Sequence, residues 1–129
     1  MIAAVETADG VVLVDTVDDV VLGPGDSLPA VDAPRVELPR VVATAASGST
    51  IVAVVDRRPP LAISNDAGAT WREAGGGLPP GFAIAIAEDD PDRMLFAGRS
   101  RLYLSTNGGT FWRSLAPELP DIVGVAWLD

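Results

Sequence analysis

The 129-residue chain has no cysteine and no histidine, and all nine of its basic residues are arginine. Without Cys there is no disulfide framework and no thiolate chemistry. Without Cys or His, zinc, haem and iron–sulfur centres lose their usual ligands, and the commonest general base near neutral pH is gone. Positive charge is scarce: 18 acidic residues leave a net charge of −9. A surface this acidic repels phosphate backbones and anionic lipid, which argues against nucleic-acid and membrane partners. No apolar run approaches the length that spans a bilayer. The N-terminal stretch Met1–Asp9 meets Glu6 with no basic region ahead of it, unlike a secretory signal. The expectation is a soluble, cytoplasmic protein without cofactor; an extracytoplasmic origin stays open if a leader has been removed.

What is present is 48% apolar residues, enough for one domain-sized core. The apolar segments are short, rich in Val and Ile, and punctuated by Gly, Pro and Asp, which predicts an all-β chain. Four segments look like equivalent strands, Ile2–Thr7, Val41–Ala46, Phe82–Ala87 and Ile122–Leu128, with starts 39, 41 and 40 residues apart. Second strands follow at Val11–Asp15, Ile51–Val55 and Met94–Ala97, and third strands at Asp19–Leu22, Leu61–Ser64 and Leu102–Ser105. Fourth strands are expected near Trp71, near Trp112 and at Arg35–Leu38. Four short antiparallel strands in each unit of about 40 residues match a propeller blade. The expected division is a degenerate blade over 1–40, blades over 41–81 and 82–121, and an extra strand over 122–129.

The octapeptide Ser64-Asn65-Asp66-Ala67-Gly68-Ala69-Thr70-Trp71 returns 41 residues later as Ser105-Thr106-Asn107-Gly108-Gly109-Thr110-Phe111-Trp112. Each copy falls between a third and a fourth strand. Asp66 can accept from backbone N–H groups just ahead of it, as an Asx turn does. Gly68 tolerates the positive φ that such a turn requires. Ser64 and Thr70 offer hydroxyls that tie the two sides, and Trp71 packs its apolar face beneath the turn. Asn107 keeps an acceptor oxygen in the second copy, whereas Phe111 exchanges a hydroxyl for apolar cover. In the first unit Gly23-Pro24-Gly25-Asp26-Ser27 stands where a cassette is expected.

These residues resemble the Asp-box, or BNR repeat, pattern Ser/Thr-x-Asp-x-Gly-x-Thr-Trp of sialidases, sortilin-type receptors, photosystem assembly factors and some glycoside hydrolases. The stretch Ala87–Gly98 is similar to the family's turn between its first two strands, and the resemblance spans Arg40 to Pro120. It implies a β-propeller with boxes at the blade periphery, remote from the channel where ligands bind. Ser64, Asp66, Gly68, Thr70, Trp71, Ser105, Asn107, Gly109 and Trp112 are then structural, since a fold does not carry a function with it.

Sialidase chemistry implies three convergent Arg, a Tyr–Glu nucleophile pair and an acidic proton donor. Only Tyr103 is available, inside an apolar strand, and Arg72 and Arg113 each follow a cassette Trp as solvent-facing outer-strand positions. Glu88-Asp89-Asp90-Pro91-Asp92 offers carboxylates to a hard cation, with Asp89, Asp90 and Asp92 as metal candidates, but the spacing is not an EF-hand and suits a solvated turn. Gly75-Gly76-Gly77 lacks the Lys and helix of a phosphate loop. Asp15, Asp18 and Asp19 sit at a strand end where Asp is common.

Propellers close with four to eight blades, because closure protects edges and inter-blade faces. Three blades plus a spare strand make about half a ring. Two copies completing a ring of about six blades is therefore expected, with Ile122–Leu128 clasping the first blade of its own chain or of the partner. A fragment of a longer propeller is the competing origin. The expected role is a non-catalytic protein-interaction or scaffold module, with a protein or peptide ligand; carbohydrate binding or glycoside hydrolysis is the alternative.

Overall fold

The computed structural model describes residues 1–128, so Asp129, the last residue of the expected extra strand, lies outside the described residues. Among the described residues there are twelve strands and no helix. They form three antiparallel four-stranded sheets, each blade-like. The second sheet runs β4 (Val41–Ser47), β5 (Thr50–Val55), β6 (Leu61–Ser64), β7 (Arg72–Ala74), and the third β8 (Ala83–Ala87), β9 (Asp90–Ala97), β10 (Leu102–Ser105), β11 (Arg113–Ser114). These follow chain order, as a meander of hairpins dictates.

The first sheet does not. Its order is β12 (Ile122–Trp127), β1 (Ile2–Thr7), β2 (Gly10–Asp15), β3 (Val20–Pro24). The expectation that Arg35–Leu38 supplies its fourth strand is corrected, because that segment forms no strand. Ile122–Trp127 fills the place instead, pairing Val125 with Val5 and Trp127 with Ala3. Ile2–Thr7 is accordingly a second strand, equivalent to β5 and β9 rather than to β4 and β8. An edge-satisfying strand from the far end of the chain leaves no trace in the local pattern of β1, since inner and second strands share the same alternation. The shift moves the first hairpin to Asp15–Val20, so Gly23–Ser27 is not its cassette position.

Inner strands β4 and β12 both pack on β8, which places the third sheet between the other two in an arc. Its second strand shows why it sits in the middle. Met94 and Phe96 join the cluster holding Val52, Val54 and Ile63 of the second sheet, while Leu95 and Ala97 join Ala3, Val5 and Val14 of the first. Alternating side chains of one strand thus bury on both faces, which reads in sequence as a continuous apolar run.

The linker 25–40 lies over the two ends of this arc. On the first sheet, Gly25 N–H donates to the Val11 carbonyl at 2.9 Å. Gly25 also abuts Leu13, and Leu28 abuts Gly124. On the second sheet, the Thr44 hydroxyl donates to the Pro34 carbonyl at 2.9 Å, and Asp56 N–H donates to the Arg40 carbonyl at 2.9 Å. Between these ties Pro34, Val36 and Leu38 are half-buried and Arg35 and Glu37 exposed, an alternation of inward apolar and outward charged residues. Ala53 and Val55, whose side chains point away from the third sheet, are buried.

Candidate binding cleft

The two cassettes form the hydrogen-bonded turns that their residues imply. In the first, the Ser64 hydroxyl donates to Asp66 Oδ1 at 2.7 Å and accepts from Gly68 N–H at 2.8 Å. Asp66 accepts from Thr70 N–H at 2.8 Å and from the Thr70 hydroxyl at 2.6 Å. These donors, the Thr70 hydroxyl foremost, lower the Asp66 carboxyl to about 2. In the second, Ser105 donates to Asn107 Oδ1 at 3.0 Å, Asn107 Oδ1 accepts from Phe111 N–H at 3.0 Å, and the hydroxyl tie is absent. Gly68 and Gly109 both adopt positive φ, and a Cβ on Gly109 would stand 2.6 Å from Ile63 of the second sheet. The Trp112 indole N–H donates to the Gly109 carbonyl at 3.0 Å, and its ring meets Phe96 edge-on at 6.0 Å.

The first hairpin uses a different acceptor for the same purpose. Asp15 Oδ1 takes the N–H groups of Val17 at 2.9 Å and Asp18 at 3.2 Å, and these donors lower its carboxyl, Val17 first.

Arg72 and Arg113 are exposed, as expected of outer-strand positions, and each also reaches across to the next sheet. Arg72 reaches from the second sheet to the Gly108 carbonyl in the cassette turn of the third, at 2.9 Å. Arg113 reaches from the third sheet to the first, donating to both oxygens of Asp19 at 2.7 and 2.9 Å and to the Thr16 carbonyl at 2.9 Å. The two residues occupy repeat-equivalent positions and fasten successive sheet junctions. They do not converge. Tyr103 lies edge-on to Phe96 within the core between the second and third sheets. Among the described residues no group of three or more potential metal ligands gathers. In the acidic turn, Asp90 Oδ1 accepts from Asp92 N–H at 3.1 Å, an ordinary local turn bond.

The concavity that the fold builds lies elsewhere, along the inner strands. Residues from β4, β8 and β12 line one cleft of about 510 Å³ together with linker residues 30–33. Each of these three strands is the terminal strand of its sheet, so its outer edge carries backbone groups that no sheet neighbour takes. Ala45, Ala46, Ala85 and Ala126 bring small side chains to the lining, Ala46 of them exposed, while Asp32 and Glu88 supply its only ionisable side chains. Linker residues 26–33 make no hydrogen bond among the described residues, so nothing directional holds them over the cleft.

Trp127 lines the cleft as its one aromatic residue. The Arg93 guanidinium stacks 4.9 Å above its ring, within cation–π range. Arg93 is buried, and neither its Nε nor the Trp127 indole nitrogen has a hydrogen-bond partner. Neither residue stands out in the sequence, because the signal that finds them is the pairing of β12 with β1. No protein-family model and no curated protein matches this chain.

Proposed function

We propose that the chain is a non-catalytic propeller-type module of the Asp-box kind that works as a protein-interaction or scaffold domain, taking an extended protein segment in its inner-strand cleft. One observation carries this reading: three terminal strands with small side chains present their free edges to a single cleft. Backbone edges recognise extended peptides through main-chain hydrogen bonds, and Asp32 and Glu88 favour a segment with a basic residue. The linker segment over the cleft, which lacks hydrogen bonds, is one that a ligand can displace. A two-copy ring needs bare end faces; the linker over both ends of the arc supports a module that works as a single chain.

Binding of a fluorescein-labelled peptide array tests this. Amide protection of the inner strands β4, β8 and β12 by extended basic peptides that is lost in Ala46→Trp, which fills the cleft from an exposed position, supports the reading. Protection unaffected by that change contradicts it. Mass in solution decides the assembly, with a single-chain mass at micromolar concentration expected.

A carbohydrate-directed reading is favoured by one observation, that Trp127, Asp32 and Glu88 line the same cleft. An aromatic face with two carboxylates suits a sugar, and hydrolysis uses such a pair. Turnover of fluorogenic glycosides that is abolished in Glu88→Gln or Asp32→Asn would establish it.

A further inference from the structure

The three outermost strands differ in one respect that their shared position does not explain. β7 reads Arg72-Glu73-Ala74 and β11 reads Arg113-Ser114, both with charged or polar surfaces. β3 reads Val20-Val21-Leu22-Gly23-Pro24, with no charge in the strand. Val20 and Val21 are each 45% exposed, Leu22 is 51% exposed, and Val17 in the preceding turn is 68% exposed. Successive strand residues point to opposite faces, so this edge is apolar on both sides. β3 is also the last strand of its sheet, with one edge unpaired. Proteins ordinarily protect such an edge with charge, and an exposed apolar one is a template for another strand.

The charges beside it indicate what that strand carries. Exposed Asp18 precedes β3 and exposed Asp26 follows it, and neither has an ion pair among the described residues. Asp19 is already neutralised by Arg113 at 2.7 Å. The chain as a whole holds −9, so a second copy brings like charge to the same edge. Pro24 has no N–H to offer at the far end, which limits pairing to the Val20–Gly23 stretch.

We infer that the β3 edge is a docking strand for a basic, extended segment of a partner protein, which joins the first sheet by strand addition. The partner alternates apolar and polar residues opposite Val20–Leu22 and carries Lys or Arg toward Asp18 and Asp26. This surface is separate from the inner-strand cleft, so the Ala46→Trp change leaves it intact.

The test uses two fluorescein-labelled nine-residue probes with an alternating Val/Thr centre, one flanked by two Arg at each end and one by two Glu. The basic probe is expected to bind the full chain and to protect the amides of Val20–Gly23 from exchange, while the acidic probe does not bind. Val21→Lys with Leu22→Thr, checked for folding by circular dichroism, is expected to weaken binding by at least about tenfold. Asp18→Asn with Asp26→Asn is expected to weaken binding and flatten its salt dependence without loss of fold. With the cleft filled by Ala46→Trp, equal binding of both probes, no protection of Val20–Gly23 by the basic probe, binding unchanged by Val21→Lys with Leu22→Thr, or protection of Val20–Gly23 from self-association without probe overturns the proposal.

Discussion

Arg113 of the third sheet grips both carboxylate oxygens of Asp19 in the first, at 2.7 and 2.9 Å, and takes the Thr16 carbonyl beside it. The contact is charge-assisted, with one guanidinium nitrogen reaching both carboxylate oxygens while the other takes the Thr16 carbonyl. Arg72 makes the equivalent reach one junction earlier, but to the neutral Gly108 carbonyl. The same repeat position thus performs one task with two kinds of acceptor.

That difference is measurable. In a double-mutant cycle, Arg113→Ala and Asp19→Ala are expected to couple by about 1 kcal/mol or less, since the pair is partly exposed and screened. The coupling falls as salt is raised from 0.05 to about 1 M, given the Debye length. The destabilisation by Arg72→Ala has a neutral acceptor and is expected to vary little with salt. Chemical denaturation at two ionic strengths checks both.

Asp66 predicts where acid acts on the first cassette. Its folded carboxyl lies at about 2 against an ordinary value of 3.8, so the ionised form is favoured by folding. Its contribution is fully present above about pH 4 and is lost as pH falls through the folded value near 2. Asp66→Asn is expected to remove that part of the acid dependence. Asn107 holds the second turn without a titratable group, so Asn107→Asp is expected to add acid dependence there. Urea midpoints from pH 7 to pH 2 read both.

The central strand predicts two costs of different origin. Phe96 is fully buried between the second and third sheets, and Phe96→Ala is expected to cost about 3–5 kcal/mol through lost burial and a cavity. Gly81 meets the same ring from the other direction: a Cβ there would stand 2.4 Å from Phe96 and 2.8 Å from Val54. Gly81→Ala is expected to destabilise by about 1–3 kcal/mol through overpacking. Combined with Phe96→Ala, its cost is expected to shrink, because the clashing ring is gone. Equilibrium unfolding of the three variants checks this.

Strands and cassette turns were legible in the sequence because their signals are local. Short apolar segments located ten strands and the cassette Trp positions two more, each to within about four residues, and Ser64, Asp66 and Thr70 find one another across six positions. The missing information is long-range. Counting repeats left Ile122–Leu128 as a spare strand to clasp the first blade of its own chain or of a partner, and it does so within the chain; but nothing near Ile2–Thr7 marks it as a second strand, so β1 passes for an inner strand and Arg35–Leu38 for an outer one. The same blindness hid the cleft, whose lining comes from four separate segments, and the stacking of Arg93 on Trp127. Arg72 and Arg113 are exposed as their positions imply, but their acceptors lie on the next sheet, 36 and 94 positions away for Gly108 and Asp19, and leave no local signal.

The pairing of β12 with β1 inside one chain is the claim on which the arc, the linker and the cleft all depend. Ala4 and Ala126 are register partners in that pairing, and the chain has no native cysteine to interfere. Ala4→Cys with Ala126→Cys places two thiols on directly opposed residues, within the span that a disulfide bridges. After oxidation at micromolar concentration, non-reducing denaturing mass analysis is expected to show one chain with an internal disulfide. A disulfide-linked dimer, or two free thiols, would contradict the account.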